Sequence, residues 1–171
     1  GWIYLRLGQP SLAIPHLDRA VLLDVELVEA HRGLGLAYAE AGMNVEAEAS
    51  LKHACQLDKE DVQALSILGR VYYQQQRYED AIAALEQVVA REGEDVGALA
   101  YLGRALYALG RHDEAIHPLE AAFALDPHDD AVRAYLGRAW FSLARYDKAL
   151  IHFRALQAAY PEDPQWHAYV G

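Results

Sequence analysis

Six glycines recur along this chain at an unbroken spacing of 34 residues: Gly1, Gly35, Gly69, Gly103, Gly137 and Gly171. A period of that length constrains the fold more than any local motif. A unit so short cannot bury its apolar face alone, so copies must stack on one another. Other positions keep the same register. Twelve residues after each of the first five glycines stands an alanine (Ala13, Ala47, Ala81, Ala115, Ala149). Four residues further comes a large apolar residue (Leu17, Leu51, Leu85, Leu119, Phe153), and a leucine precedes four of the glycines (Leu34, Leu68, Leu102, Leu136).

Each unit reads as helix, short turn, helix. The Ala and Leu content favours helix, and the β-branched residues are too scattered to form strands. A glycine inside a helix costs about 1 kcal/mol against alanine. One retained in every unit therefore marks a close approach, with Gly on the first helix against Ala on the second and Leu or Phe filling beside them. Gly8, Gly42 and Gly110 fall where a left-handed residue would end a first helix, and Gln76 and Ala144 hold the same place in the other two units. Asp61, Asp95, Asp129 and Asp163 stand at N-cap positions before new first helices, and Pro127 and Pro161 fall just after second helices.

Connections of only a few residues make consecutive helices antiparallel neighbours. The expected fold class is all-α, a solenoid of antiparallel helix-turn-helix repeats forming a single array over residues 1–171. Within it, 1–27 is a partial repeat, 28–61, 62–95, 96–129 and 130–163 are full repeats, and 164–171 starts another. Both ends fall inside a first helix, and Trp2, Trp166 and Tyr169 are apolar there. Solenoids close with polar-faced caps, so the expectation is a piece of a longer protein, or ends that stack on neighbouring copies.

The register resembles the tetratricopeptide repeat. Leu102-Gly103-Arg104-Ala105-Leu106-Tyr107, then Ala115, Ala122 and Asp126-Pro127, is the nearest match; Tyr135-Leu136-Gly137 through Ala149 to Pro161 is almost as good. The resemblance covers the whole chain. Val25, Lys59 and Gly93 stand where the family carries proline, and His31, Leu65, Leu99 and Arg133 replace its first-helix tryptophan. Pro15 and Pro118 lie inside second helices, where each removes one backbone hydrogen bond. The resemblance implies a right-handed superhelix whose first helices line a concave groove.

Helical spacing then assigns the groove rows. One holds Trp2, Leu36, Arg70, Arg104 and Arg138; one turn on lie Leu5, Ala39, Tyr73, Tyr107 and Phe141. One turn earlier come Arg32, Ser66, Ala100 and Ala134, with Glu29, Gln63, Gly97 and Ala131 beyond them. The expected ligand-binding residues are Arg70, Arg104 and Arg138 beside Tyr73, Tyr107 and Phe141. Arginine forks bind carboxylates bidentately, and no carboxylate in these rows neutralises them. On a chain of formal charge −10 that stripe predicts an acidic protein or peptide segment as partner. A structural reading stands beside it: arginine has good helix propensity, and the aromatics can serve the core. A further row, Arg77, Arg111 and Arg145, is expected to meet the dipole at first-helix ends. The Lys and Asn pattern by which related co-chaperones clamp a carboxylate is missing, because Leu36, Arg70 and Arg104 replace Asn while Ser66 or Ala100 replaces Lys.

No chemistry beyond binding is legible. His16, His53, His117 and His152 fall on the outer faces of second helices, and no His pair or His–Cys cluster has ligand spacing. The register glycines, 34 residues apart, form no phosphate loop, and no serine stands in a nucleophile elbow. No catalytic residue, metal site or cofactor is expected. The acidic balance speaks against nucleic-acid binding, and no run approaches the roughly 20 apolar residues of a membrane span. The single cysteine, Cys55, excludes an internal disulfide, reads as a small buried hydrophobe, and fits a reducing compartment such as the cytoplasm. No signal peptide is visible. The expected function is a protein-interaction module or scaffold; the alternatives are a self-associating assembly scaffold through uncapped ends, or a repeat region attached to an enzyme domain.

Overall fold

The helices follow the register. The computed structural model describes residues 1–170, and among these run eleven α-helices and no strand. They are α1 (Trp2–Arg6), α2 (Pro10–Leu23), α3 (Val28–Glu40), α4 (Asn44–Leu57), α5 (Val62–Gln74), α6 (Tyr78–Arg91), α7 (Val96–Ala108), α8 (His112–Leu125), α9 (Asp130–Ser142), α10 (Tyr146–Ala159) and α11 (Pro164–Val170). Each of α1, α3, α5, α7 and α9 packs on the helix that follows it. The helices gather into two compact units: residues Gly1–Arg91 hold α1–α6, and the unit beginning at Glu92 holds α7–α11. Pro15 and Pro118 lie inside α2 and α8, and both helices run on past them.

The recurring glycine is a notch for one side chain. A Cβ built on Gly35 would sit 2.5 Å from Leu51 Cγ, one on Gly69 2.6 Å from Leu85 Cγ, and one on Gly137 2.8 Å from Phe153 Cε1. Gly103 faces Leu119 in the same way. The nearest neighbour is thus the leucine or phenylalanine, and the alanine contributes its backbone: the carbonyls of Ala47 and Ala115 lie 3.3 Å from the built Cβ atoms of Gly35 and Gly103. Leu51, Leu85, Leu119 and the register alanines are buried completely or nearly so.

The turns are set by backbone geometry. Gly8, Gly42 and Gly110 have φ of +66°, +77° and +75°, and Gln76 and Ala144 adopt φ of +62° and +55° at the same place. The amide of the next residue then reaches back into the first helix: Met43 N–H to Tyr38 O (2.8 Å), Arg77 N–H to Tyr72 O (2.9 Å) and Arg145 N–H to Trp140 O (2.9 Å). This is the Schellman pattern, whose left-handed residue favours glycine. Gln76 and Ala144 keep it at a cost of about 1–2 kcal/mol each.

At the other end of each unit the aspartates cap as the sequence predicts. Asp61, Asp95 and Asp129 accept the N–H of Ala64 (2.9 Å), Ala98 (2.8 Å) and Val132 (3.0 Å), and Asp163 accepts that of Gln165 (2.9 Å). Leu27 holds the equivalent place before α3 without a side-chain bond.

The positions that replace the family tryptophan have a use of their own. His31 Nε2 donates to Val25 O (2.9 Å), and Arg133 donates to Pro127 O (2.7 Å). One unit on, His167 Nε2 donates to Pro161 O (2.8 Å). Each ties down a connecting-loop carbonyl six residues back. Where Leu65 stands, Arg91 supplies the donor instead, to Lys59 O at 2.9 Å.

Trp166 departs from the expected apolar end. It is buried, stacked on Phe153 with ring centroids 6.2 Å apart, in a cluster with Ala134, Ala149 and Leu156. Tyr169 stacks on the same Phe153 at 4.2 Å. In the first unit the matching core is Ala13, Leu17, Leu34 and Ala37.

If the notch fixes helix separation, Gly35→Ala must displace Leu51. Overpacking of about 1–3 kcal/mol, less about 1 kcal/mol of helix propensity, gives a net loss near 1 kcal/mol in urea unfolding. In a Leu51→Ala background the same change is neutral or stabilising, and that non-additivity is the quantity to measure.

Candidate functional site

The predicted binding residues lie on α5, α7 and α9, spaced three or four apart so that they share a helix face. In the second unit, α7 carries Arg104 and Tyr107, and α9 carries Arg138 and Phe141. Buried Ala100 and Ala134 sit one turn before the arginines, leaving room beside them. The Arg104 guanidinium carbon lies 4.8 Å from the Tyr101 ring centroid and 5.1 Å from that of Tyr135. That of Arg138 lies 5.7 Å from the Tyr135 centroid and 5.7 Å from the Trp166 centroid. Tyr101, Arg104, Tyr135, Arg138 and Trp166 therefore alternate ring and cation in one row.

Each such contact contributes about 0.5–1 kcal/mol at an exposed site and more when desolvated. The rings also hold the guanidinium forks in place, which leaves their N–H groups less conformational freedom to lose on binding a carboxylate. No ion pair among the described residues engages Arg138. The predicted aromatics also pack structurally. Tyr107 meets Tyr135 edge-on at 5.5 Å and His112 at 4.8 Å. Phe141, 44% exposed, meets Tyr146 at 5.3 Å and Tyr169 at 5.4 Å. In the first unit, half-buried Arg70 has its Nε buried with no hydrogen-bond partner, and Tyr73 lies 5.5 Å from Tyr78.

Sequence reasoning missed the rings that hold the arginines. Tyr101 and Tyr135 stand three residues before Arg104 and Arg138, a helical neighbour spacing that was available as a signal. Trp166 had none, since it occupies the place of Val132, Ala98 and Ala64 in earlier units.

Other candidates resolve into structure. Arg32 donates to Asp61 Oδ2 at 2.9 Å, and the Asp61 side chain is 3% exposed, so this pair anchors the first unit from inside. The row Arg77, Arg111 and Arg145 corrects the expectation of a dipole contact at first-helix ends. These residues stand immediately before second helices, Arg111 and Arg145 at the N-cap itself, where the dipole disfavours a cation. Arg77 instead pairs with Asp80 (2.6 Å) and Glu48 (2.9 Å), and Arg111 with Glu114 (2.5 Å). Burial pushes the Glu48 carboxyl up, but hydrogen bonds from Lys52, Arg77 and Gln75 outweigh it and hold the group at about 2.

The histidines divide. His16, His53 and His117 are exposed, whereas His152 is half-buried, edge-on to Phe123 at 5.6 Å. Burial lowers its pKa, and the Arg133 charge adds to the effect. Cys55 is half-exposed rather than buried, and desolvation with Asp61 and Asp58 pushes its thiol up to about 11, so it stays protonated. Among the described residues, no group of three or more His, Cys, Asp or Glu is placed to hold a metal. No helix there is long and apolar enough to cross a membrane.

Comparison with known proteins agrees with the helical-repeat fold. The family model of the cilia and flagella-associated protein 70 C-terminal domain, a tetratricopeptide-repeat model, matches residues 1–167. A solved structure of MamA AMB-1 superposes with a TM-score of 0.80 at 28% identity, covering 89% of this chain and 90% of that one. A second MamA crystal structure gives 0.80 at 26% identity, covering 88% of each chain. MamA residues 41 to end from Desulfovibrio magneticus RS-1 give 0.83 at 24% identity, covering 95% and 92%, which speaks to fold alone. No curated protein matches the sequence.

Two measurements test this account of the charged groups. Asp61→Ala removes a cap and leaves Arg32 without its buried partner, for a loss of about 3 kcal/mol; Asp129→Ala, a cap alone, loses about 1 kcal/mol. Urea unfolding of both variants gives the comparison. Because the His152 pKa is lowered on folding, the unfolded chain takes up that proton first as pH falls. The contribution is present above the ordinary value near 6.5 and is lost below it. His152→Gln should flatten the decline of Tm between about pH 7 and pH 5.

Proposed function

This chain belongs to the family of the cilia and flagella-associated protein 70 C-terminal domain, and from that premise we propose that it is a tetratricopeptide-repeat interaction module holding an acidic protein segment. In the second unit, Arg104 and Arg138 take the segment's carboxylates, with Tyr107 and Phe141 packing beside its apolar parts. Arg70 and Tyr73 present the same pairing in the first unit. The role is holding, and no step of bond making is assigned to the chain.

One observation supports this reading: on a protein of net charge −10, the Arg138 guanidinium carbon lies 5.7 Å from each of two ring centroids, and no carboxylate pairs with it. A cation left in that state favours an incoming anion, since charge-assisted bonds to a held fork are the strong ones. Small residues at Ala100, Ala131 and Ala134 leave the approach open to a chain rather than to a lone ion.

The test uses fluorescein-labelled acidic, neutral and basic peptides of equal length, followed by anisotropy. The acidic peptide should bind, weaken as salt rises, and lose about tenfold or more on Arg138→Glu, with Arg104→Glu acting in the same direction. Equal binding of all three peptides, or of the acidic peptide by wild type and both variants, overturns the reading.

A further inference from the structure

Next to Arg138, within the second unit, lies a cavity of about 350 Å³ between α9, α10 and α11. That volume falls in the range of about 300–1,000 Å³ typical of ligand sites. Its walls are mostly apolar: Ala131 and Ala134 from α9, Leu156 from α10, and the rings of Tyr135 and Trp166. Ala134, Leu156 and Trp166 are themselves buried, so the site is backed by the core. Trp166 is 7% exposed and its indole N–H has no hydrogen-bond partner.

The polar groups around the cavity are not equivalent. Asp130 is engaged by the Tyr160 hydroxyl, which donates to its Oδ2 at 2.7 Å, and by Arg133 at 3.3 Å. Asp163 accepts the backbone N–H of Gln165 at 2.9 Å. Both carboxylates thus have internal partners, while the Arg138 cation lies near two rings and has no ion-pair partner. The cavity joins an apolar, aromatic-walled recess to one cation that lacks an anion.

We infer that this cavity is an anchor pocket for a bulky apolar side chain, Phe or Leu, that stands beside an Asp or Glu in the partner segment. The side chain fills the recess between Tyr135, Leu156 and Trp166, and the neighbouring carboxylate meets Arg138. The inference rests on the acidic-segment reading above and sharpens it: acidity alone gives attraction, and the apolar anchor gives register. Unit by unit the pocket is particular to this end of the chain. One repeat earlier, Ala122 and Val132 stand where Leu156 and Trp166 line it, and Tyr101 where Tyr135 does, so the indole wall is absent.

The experiment uses the whole chain and a set of labelled acidic dodecapeptides identical except for a central Phe, Leu or Ala. The Phe and Leu peptides should bind about tenfold or more tightly than the Ala peptide, as burial of one large side chain requires. Ala131→Leu, at an exposed rim position, should remove that difference by narrowing the recess. Circular dichroism checks that the variant folds. Trp166 fluorescence in a Trp2→Phe, Trp140→Phe background should shift on adding the Phe peptide and not the Ala peptide. Acidic peptides that all bind equally and lose affinity on Arg138→Glu would overturn the pocket and leave the groove reading standing. Acidic peptides that do not bind at all would overturn the groove reading and the pocket with it.

Discussion

Everything in this structure depends on how closely two helices of a hairpin approach, and that distance is set by a missing Cβ. With hydrogen at Gly35, Gly69 and Gly103, the leucine sixteen residues later drops into the first helix, and at Gly35 and Gly103 the alanine carbonyl comes close beside it. The same contact recurs in successive hairpins, so their frames repeat. Only because the frames repeat do residues 34 apart present themselves on equivalent faces, and only then can arginines separated by a whole unit belong to one row. Phe153 in place of leucine shows how far the contact stretches: Gly137 still accepts it, and the larger ring recruits Trp166 and Tyr169 as further layers.

The elements that the sequence disclosed are those governed by local rules. The glycine register, the aspartate caps and the left-handed turn residues each follow from backbone chemistry that a residue carries with it; Gly171 lies outside the described residues, and within them Gly35, Gly69, Gly103 and Gly137, the caps and the turns are found where spacing put them. Helical spacing likewise puts Arg104 with Tyr107 and Arg138 with Phe141 on one face of their own helices. What spacing could not disclose is which residue from elsewhere meets these side chains. Asp61 reaching Arg32, Glu48 reaching Arg77, and Trp166 reaching Arg138 are separated by roughly thirty positions in each case. Arg77, Arg111 and Arg145 were misjudged because a residue just past one helix is also the residue just before the next, and side-chain partners decide which role prevails.

On the candidate face, Arg138 has aromatic rather than acidic neighbours. An arginine paired with aspartate, as Arg32 is through one N–H, has its charge already met inside the fold. Aromatic partners act differently: they satisfy the face of the guanidinium and leave the edges, where the N–H groups lie, to meet something else. Net charge describes the whole surface, and the local potential around one side chain can differ from it in sign without conflict.

The left-handed turns at Gln76 and Ala144 carry a consequence beyond geometry. In a molecule whose repeats touch mainly their neighbours, stability is close to a sum of local terms, so conformational strain confined to two hairpins is not averaged over the rest. The hairpins that turn on glycine and those that turn on a strained residue should open with different frequencies even though their helices pack alike. A chain written as near-copies of one sentence is thus unevenly durable along its length. Selection can loosen or tighten a single repeat by one residue in its turn, without disturbing the register that the others share.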